Sequence, residues 1–597
     1  MTASLLRLTI FLPVAGAILI LPGASRQKAR WTALASVLAA FALAAVLVGG
    51  FPGGIDPFAT SDVSWLGGLD NPIDVRFSIG LDGLSVWLFG LTALLMIVAV
   101  LVSWEAIEEH AAAYYRLLLL LETGMLGVFV ARDIILFYVF FEFVLLPLFF
   151  LIGIWGSTER RYAAIKFFLF TLAGSMLTFL SLLAIVLWVY HATGRLTFSI
   201  PALTAMLITN PMDTWLQVLI FWGLFAGFAI KVPLFPLHTW LPLAHTEAPT
   251  AGSVLLAGVL LKIGTYGFVR FSLPMLPEAT AVCLPYVLWL SVAGIVYGAL
   301  VALAQHDVKR LIAYSSVSHL GFCMLGIFAL NRLGMQGGVL QMINHGLSTG
   351  GLFAIVGMLY ERYHSRQIRD FSGIARKMPI LAFFMLVMTL SSIGLPGLNG
   401  FAGEFLLLLG MFQQAWGQAP AEWSAELPNW VWQFRVISVL ALSGVVLGAW
   451  YMLWLVERVF FGPLSEPAVE HSSEKPVRDL TPREIAALAP LVVFIVWIGI
   501  QPGFFLDRMA PTLNLVSDRT MAVWEEESSG FRVQGLERRV QGSGFRVQDL
   551  GFGIWRSGHS TPVAADGHNL PKSQNPQIPS LTPRPLSLAI GEPTRDD

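Results

Sequence analysis

Long apolar runs with almost no charge return about fourteen times between residues 4 and 506, and this most restricts what the chain can fold into. A run of roughly 17–25 apolar residues can cross a ~30 Å hydrocarbon layer as a helix. Backbone groups in lipid must pair within their own structure, which leaves helices or closed barrels. The runs lack the period-two alternation of barrel strands. The expected fold is therefore all-α and integral to a membrane. Spans are expected near 4–22, 31–51, 83–103, 114–131, 133–154, 165–190, 215–237, 251–271, 281–303, 310–330, 336–360, 379–411, 433–461 and 484–506. Only 13% of the chain is charged, against roughly 25% in soluble chains, so a string of soluble domains is excluded.

The connections orient the chain, because Lys and Arg gather in cytoplasmic loops. With the N-terminus outside, the cytoplasmic connections hold Arg26, Lys28 and Arg30, then Arg160, Arg161 and Lys166, then Lys309 and Arg310. Further on they hold Arg362, Arg366, Arg369, Arg376 and Lys377, and finally Arg458, Lys475, Arg478 and Arg483. The opposite connections are poor in base; one carries Asp56, Asp62, Asp70 and Asp74 with Arg76 alone. Both termini are expected on the outer face. Met1–Leu21 has only Arg7 near its start and is followed at once by another apolar run, so it reads as a retained span rather than a signal peptide. Beyond about Asp507 the chain turns polar and repeats Ser529–Gln534 as Ser543–Gln548, and 509–597 reads as a disordered tail.

The formal net charge of −1 gives no pull toward nucleic acid. Cys283 and Cys323 lie in separate apolar segments, which rules out a disulfide framework or an iron–sulfur cluster. There is no CxxC, no phosphate-binding loop, no dinucleotide fingerprint and no HExxH. No cofactor or metal is expected on this chain.

Two spans are interrupted. The seventh contains Lys231-Val-Pro233-Leu-Phe-Pro236, and the twelfth Gly394-Leu-Pro396-Gly397-Leu-Asn399-Gly400. Proline removes a helix hydrogen bond and crowds the preceding turn. Each break falls in the fourth span of a five-span block, spans 4–8 and 9–13. An odd number of spans per block would invert the second copy, and such paired breaks point to an ion path.

Four charges lie well inside apolar spans: Glu142, Lys231, Lys262 and Glu404. Each costs about 2.5–3.5 kcal/mol at the bilayer centre, so the four together approach the whole stability of a domain. They must be paired, hydrated or neutralised. Static ion pairs that fix helix packing are one reading; the breaks beside Lys231 and Glu404 favour a proton path. His319 and His345 lie inside the tenth and eleventh spans, with Ser315, Ser316, Ser318, Gln341, Asn344 and Ser348 close in sequence. Each histidine alone fits a packing role, but the two together fit a hydrated relay, since imidazole titrates near physiological pH. His238 and His245 flank the seventh-span break and fit either a structural cap or the same path.

The segments His238-Thr-Trp-Leu-Pro-Leu-Ala-His245-Thr-Glu-Ala-Pro-Thr-Ala-Gly-Ser253, Leu260-Leu-Lys262-Ile-Gly-Thr-Tyr-Gly267 and Asp307–Phe322 resemble the antiporter-like subunits of respiratory complex I. The resemblance covers roughly residues 75 to 505 and implies that Glu142, Lys231 and Lys262 belong to a proton path. Asn399-Gly-Phe-Ala-Gly-Glu404 resembles the branch of that family with glutamate, not lysine, in the twelfth span. One position departs: the family's Pro-Asp-Ala-His is Pro242-Leu243-Ala244-His245 here, which removes a carboxylate from a candidate proton entry.

The resemblance implies a membrane-arm subunit that converts the energy of NADH–quinone electron transfer into proton transfer. Catalytic positions would be Glu142, Lys231, Lys262, Glu404, His319, His345 and His238. NADH, flavin, iron–sulfur clusters and quinone would be used by other subunits. Partners would be neighbouring antiporter-like subunits, the lipid bilayer, protons and water, but no nucleic acid, in a bacterial inner membrane. The expected division is 1–110, repeats 111–275 and 276–462, a last connection and span 463–508, then the tail. A multi-subunit cation/proton antiporter and a membrane-bound hydrogenase complex are the alternatives in transport, and a scaffold linking its neighbours is the alternative outside it.

Overall fold

Amide groups surrounded by lipid have no water to bond, so each apolar run closes its own helix. The computed structural model describes residues 1–66, 73–417, 429–467 and 477–543; Asp70, Lys475 and the tail from 544 lie outside the described residues. Met1–Gly535 packs as one unit, and of Leu536–Asp597 the residues to Ser543 are described.

The helices in order begin with α1 Thr2–Leu19, α2 Arg26–Gly49, α3 Val86–Ala106, α4 Ala111–Val130, α5 Ile134–Phe143, α6 Leu145–Trp155 and α7 Arg160–Thr193. Next come α8 Ile200–Thr209, α9 Thr214–Lys231, α10 Trp240–Glu247, α11 Thr250–Met275 and α12 Pro277–Leu303. The rest are α13 Val308–Ile327, α14 Arg332–Tyr363, α15 Pro379–Ser392, α16 Asn399–Trp416, α17 Asn429–Phe460, α18 Pro482–Ile500 and α19 Gly503–Ser543. Among the described residues twelve helices, with α5 and α6 taken as one, are long and apolar enough to cross a membrane. The two other expected spans are α13 and the pair α15–α16. The first is rich in serine, and Ser315, Ser316 and Ser318 are all buried against protein.

Both expected breaks are present. α9 stops at Lys231 and resumes as α10 at Trp240; α15 stops at Ser392 and α16 starts at Asn399. A third break, between α5 and α6 at Val144, falls beside Glu142. Pro147 explains it: with no N–H it leaves the Phe143 carbonyl without its helical partner.

The connections hold two surprises. Phe58–Leu66 (β1) and Ile73–Leu81 (β2) form an antiparallel hairpin, extended by Leu196–Thr197 (β3), so a small sheet accompanies the helices. Asp82, the residue after β2, is tied to α11 by Arg270, whose guanidinium bonds both carboxylate oxygens at 2.6 and 2.9 Å. The second surprise corrects the tail: the segment from 509 is not structureless but helical as far as Ser543. Met509, Leu513, Ser517, Thr520 and Trp524 are buried at a helical spacing. Arg332 on α14 grips Asp518 through two bonds of 2.6 and 2.8 Å.

At the opposite ends of the helices Arg362 clamps Glu484 with paired 2.8 Å bonds. In the same layer Lys377 donates to Glu466 at 2.7 Å and, with Tyr363, holds that carboxyl below the usual range. At the centre, α11 and α14 are buried along their most apolar stretches and present no face to lipid.

Candidate functional site

Lys262 lies on α11 between two π turns, Leu256–Leu260 and Phe268–Ser272. A π turn misaligns carbonyls from their usual donors and often marks a functional site. Here the Ala257 carbonyl accepts a hydrogen bond from the Lys262 ammonium. A second contact, of 2.6 Å, joins Nζ to Nδ1 of His345 on α14. The two helices meet closely because Gly346 has no side chain: a Cβ there would stand 2.8 Å from the Gly258 carbonyl oxygen.

From His345 the row continues. Its ring centre is 5.8 Å from that of His319 on α13. His319 Nδ1 is 3.4 Å from Glu404 Oε1, while its Nε2 is 3.2 Å from both Ser392 Oγ and Tyr451 OH. Hydroxyls that donate to Nε2 leave the proton on Nδ1, facing the carboxylate. Gln341 Nε2 donates to Glu404 Oε1 at 3.0 Å, and Asn344 joins Gln341 to the Asn399 carbonyl. The other carboxylate oxygen faces the broken helix. Gly394, at φ 74°, would place a Cβ 2.8 Å from Glu404 Oε2, so glycine leaves room for the acid at the break. Lys262, His345, His319 and Glu404 are each 5% exposed or less, so the row is sealed within the protein.

Lys231 and Glu142 do not form an ion pair. Lys231 Nζ lies over the Phe141 ring, 4.4 Å from its centre, and Glu142 Oε1 is buried without a hydrogen-bond partner. A desolvated cation–π contact is worth about 2 kcal/mol. That offsets only part of the cost of the buried charge and leaves the lysine free to change partners. Lys231, Leu260 and Leu261 border a void of about 10 Å³, at the lower limit for one water, between this lysine and the α11 segment bearing Lys262.

His238 stands aside from this row, among Phe235, Tyr297 and Tyr314. His245 is completely buried, stacks on Phe353 at 4.4 Å and has no partner on either ring nitrogen. Three residues escaped the sequence reading. Tyr451 looks ordinary in an apolar span, yet bonds His319. Glu122 on α4 is fully buried with neither oxygen partnered, and was visible as a charge inside the run 114–131. Lys309, read as a loop cation, is 7% exposed and donates to the Ala248 carbonyl at 2.6 Å.

The arrangement sets one expectation for the histidines. Each has polar neighbours able to order water, so His319→Ala or His345→Ala alone should lower proton transfer mildly. The double variant should lose more than the sum of the two, because residues in one network couple. Quinone-coupled proton uptake in vesicles measures this; additive losses would show two separate packing roles.

Residues 131–421 match the family model NADH:quinone oxidoreductase/Mrp antiporter, TM. The chain is 41% identical over 525 residues to NADH-quinone oxidoreductase subunit M of Rhodobacter capsulatus, covering 85% of this chain and 96% of the relative. It is also 43% identical over 436 residues to NADH-ubiquinone oxidoreductase chain 4 of Prototheca wickerhamii, covering 73% of this chain and 77% of that one. The chain belongs to the subunit M family of NADH-quinone oxidoreductases. The fold agrees with a chain of respiratory complex I from Thermus thermophilus at a TM-score of 0.74, with 33% identity over 87% of this chain and 99% of that one. A chain of the Mrp complex from Dietzia shares the fold at a TM-score of 0.71 with 20% identity, covering 87% of this chain and 98% of that one. All seven candidate positions of this subunit M relative lie inside the matched segment 131–421, whereas Tyr451 lies beyond it.

Proposed function

We propose that this chain is a proton-translocating subunit in the membrane arm of an NADH–quinone oxidoreductase, seated among other antiporter-like subunits. Electrons would pass in other subunits, which would hold the flavin, iron–sulfur clusters and quinone. Here the free energy would move protons. The observation that carries this reading is the row Lys262–His345–His319–Glu404, a base, two imidazoles with ring centres 5.8 Å apart and an acid in sequence, ending at a helix break. Neutral lysine, imidazole and carboxylate can each accept a proton, and their protonated forms can each release one. A scaffold would gain nothing from burying such a row. Identities of 41–43% to subunits named for NADH oxidoreductases favour this reading over a free-standing cation antiporter.

In this reading fourteen spans cross a bacterial inner membrane with both termini outside. Residues 111–275 and 276–462 form inverted repeats, each with one broken helix. Lys231 and Glu142 form the switch in the first repeat. The lysine rests on Phe141 when its partner is distant and is drawn to Glu142 when a neighbouring subunit shifts that acid. Arginine in its place keeps the cation but cannot release a proton. Lys231→Arg should assemble normally and lose most translocation, measured as proton uptake per quinone reduced in sealed vesicles. Full translocation by that variant would reject the switch.

A further inference from the structure

Between α2, α3, α14 and the corner where α18 turns into α19 lies a cavity of about 200 Å³, lined throughout by aliphatic, aromatic or glycine residues. The Trp87 indole N–H is already engaged, donating to the Phe505 carbonyl at 3.2 Å. Water would find too few partners to stay in such a space. Packed protein interiors hold few voids larger than a water, because each gap forfeits contacts on one side. This cavity borders lipid, however. With α1, α2 and α18 are the least buried of the long apolar helices, and Ala45 and Trp497 of its wall are exposed.

Its depth is that of one leaflet. The outer end is marked by Gly49, the last residue of α2, by Trp87 in the first turn of α3, and by Phe504, just past the end of α18 at Ile500. The inner end reaches Phe41 on α2 and Leu94 on α3. At 1.5 Å per residue, Phe41 lies about 12 Å below Gly49. Half of a ~30 Å hydrocarbon layer is of the same order.

A cation stands at the outer end. The Arg508 guanidinium lies 3.9 Å from the centre of the Phe504 ring, which is part of the wall, and one of its nitrogens donates to the Phe504 carbonyl at 3.2 Å. Among the described residues no acid forms an ion pair with Arg508, its exposed neighbour Asp507 included. The rest of its donor fork is left for a ligand, and that fork matches phosphate.

We propose that the cavity and Arg508 together bind one anionic phospholipid of the leaflet opposite the basic loops. An acyl chain fills the cavity, and the phosphate rests on the guanidinium. A quinone tail or a detergent chain would suit the cavity but leave the cation unused. Free phosphate would suit the cation but leave the cavity unfilled. The inference needs only the membrane placement of the helices and not the proton path.

The test uses the assembled complex in phosphatidylcholine vesicles doped with a phosphatidylglycerol that carries a diazirine in its acyl chain. After photolysis below saturation, labelled peptides are mapped by mass spectrometry. Label should appear on the α3 and α14 walls, residues 87–94 and 343–347. Arg508→Gln should lower it about fivefold, the weight of one basic residue at a membrane surface, and leave labelling by a diazirine phosphatidylcholine unchanged. Ala45→Phe, which fills the cavity from its exposed wall, should lower labelling by both lipids. Ala45 is exposed and Arg508 half-buried, so neither change opens the core. Equal labelling of 87–94 in the unsubstituted complex and in Ala45→Phe would overturn the cavity as the seat of the chain. Phosphatidylglycerol labelling unmoved by Arg508→Gln, or matched by phosphatidylcholine in the unsubstituted complex, would show entry of any apolar chain and overturn the anionic site.

Discussion

Glu404→Gln should abolish most proton translocation while the complex still assembles. Glutamine keeps the length of the side chain and can still face Gln341 and His319, so the packing around α16 is preserved. It cannot take up a proton. General acid–base groups contribute roughly 10²–10⁴ in rate, and a loss of that order is expected because Glu404 is the last titratable group before the Gly394 break. Glu404→Asp, one methylene shorter, should keep part of the activity. Glu404→Lys should also keep part if titration matters more than sign. The measurement is acidification by inside-out vesicles, normalised to assembled complex. Wild-type rate and stoichiometry in Glu404→Gln would remove it from the path.

Lys262→Met should have an effect of similar size for a different reason. Methionine fills much of the same volume in a wholly buried site, so assembly should survive. The Ala257 carbonyl and His345 Nδ1 would both lose their shared partner. Leaving a buried acceptor unsatisfied costs about 1–3 kcal/mol, a bearable loss of stability in a protein of this size. The row, however, would lose its first member. Quinone reduction coupled to proton uptake should fall by a hundredfold or so, in the range expected for a lost general acid–base group. A variant that assembles and translocates at more than half the normal rate would show that protons bypass α11.

Much of this was legible because lipid imposes a harsh rule. A charge in an apolar run is rare enough to notice, and so Lys231, Lys262 and Glu404 stood out, as did the proline and glycine breaks beside two of them. Period was read less well than hydropathy. Ile73, Val75, Phe77, Ile79 and Leu81 alternate with Asp74, Arg76, Ser78 and Gly80, the pattern of a half-buried strand. Searching for long uniform runs passes over it. The buried stripe from Met509 to Trp524 was likewise hidden by low overall hydropathy. In the site, sequence cannot tell which spans touch. It named His238 among the catalytic positions and left His245 out, although both flank the same break; in three dimensions His238 sits among Tyr297 and Tyr314, while His245 is completely buried against Phe353.

The two π turns of α11 make the aim of Lys262 a matter of register. An α-helix advances about 100° per residue, and a π turn takes up one extra residue without lengthening the helix in proportion. If the first turn migrated toward the C-terminus until it had passed Lys262, the lysine would swing through roughly a quarter of a circle while both ends of the buried helix stayed in place. It would then leave His345 without any lateral displacement of α11 against its neighbours. A deletion of one residue within 256–260 should be better tolerated than one within the plain α segment 261–267, because it removes the residue that the π turn takes up and leaves Lys262 and both flanks in register, while abolishing the mobility of the turn.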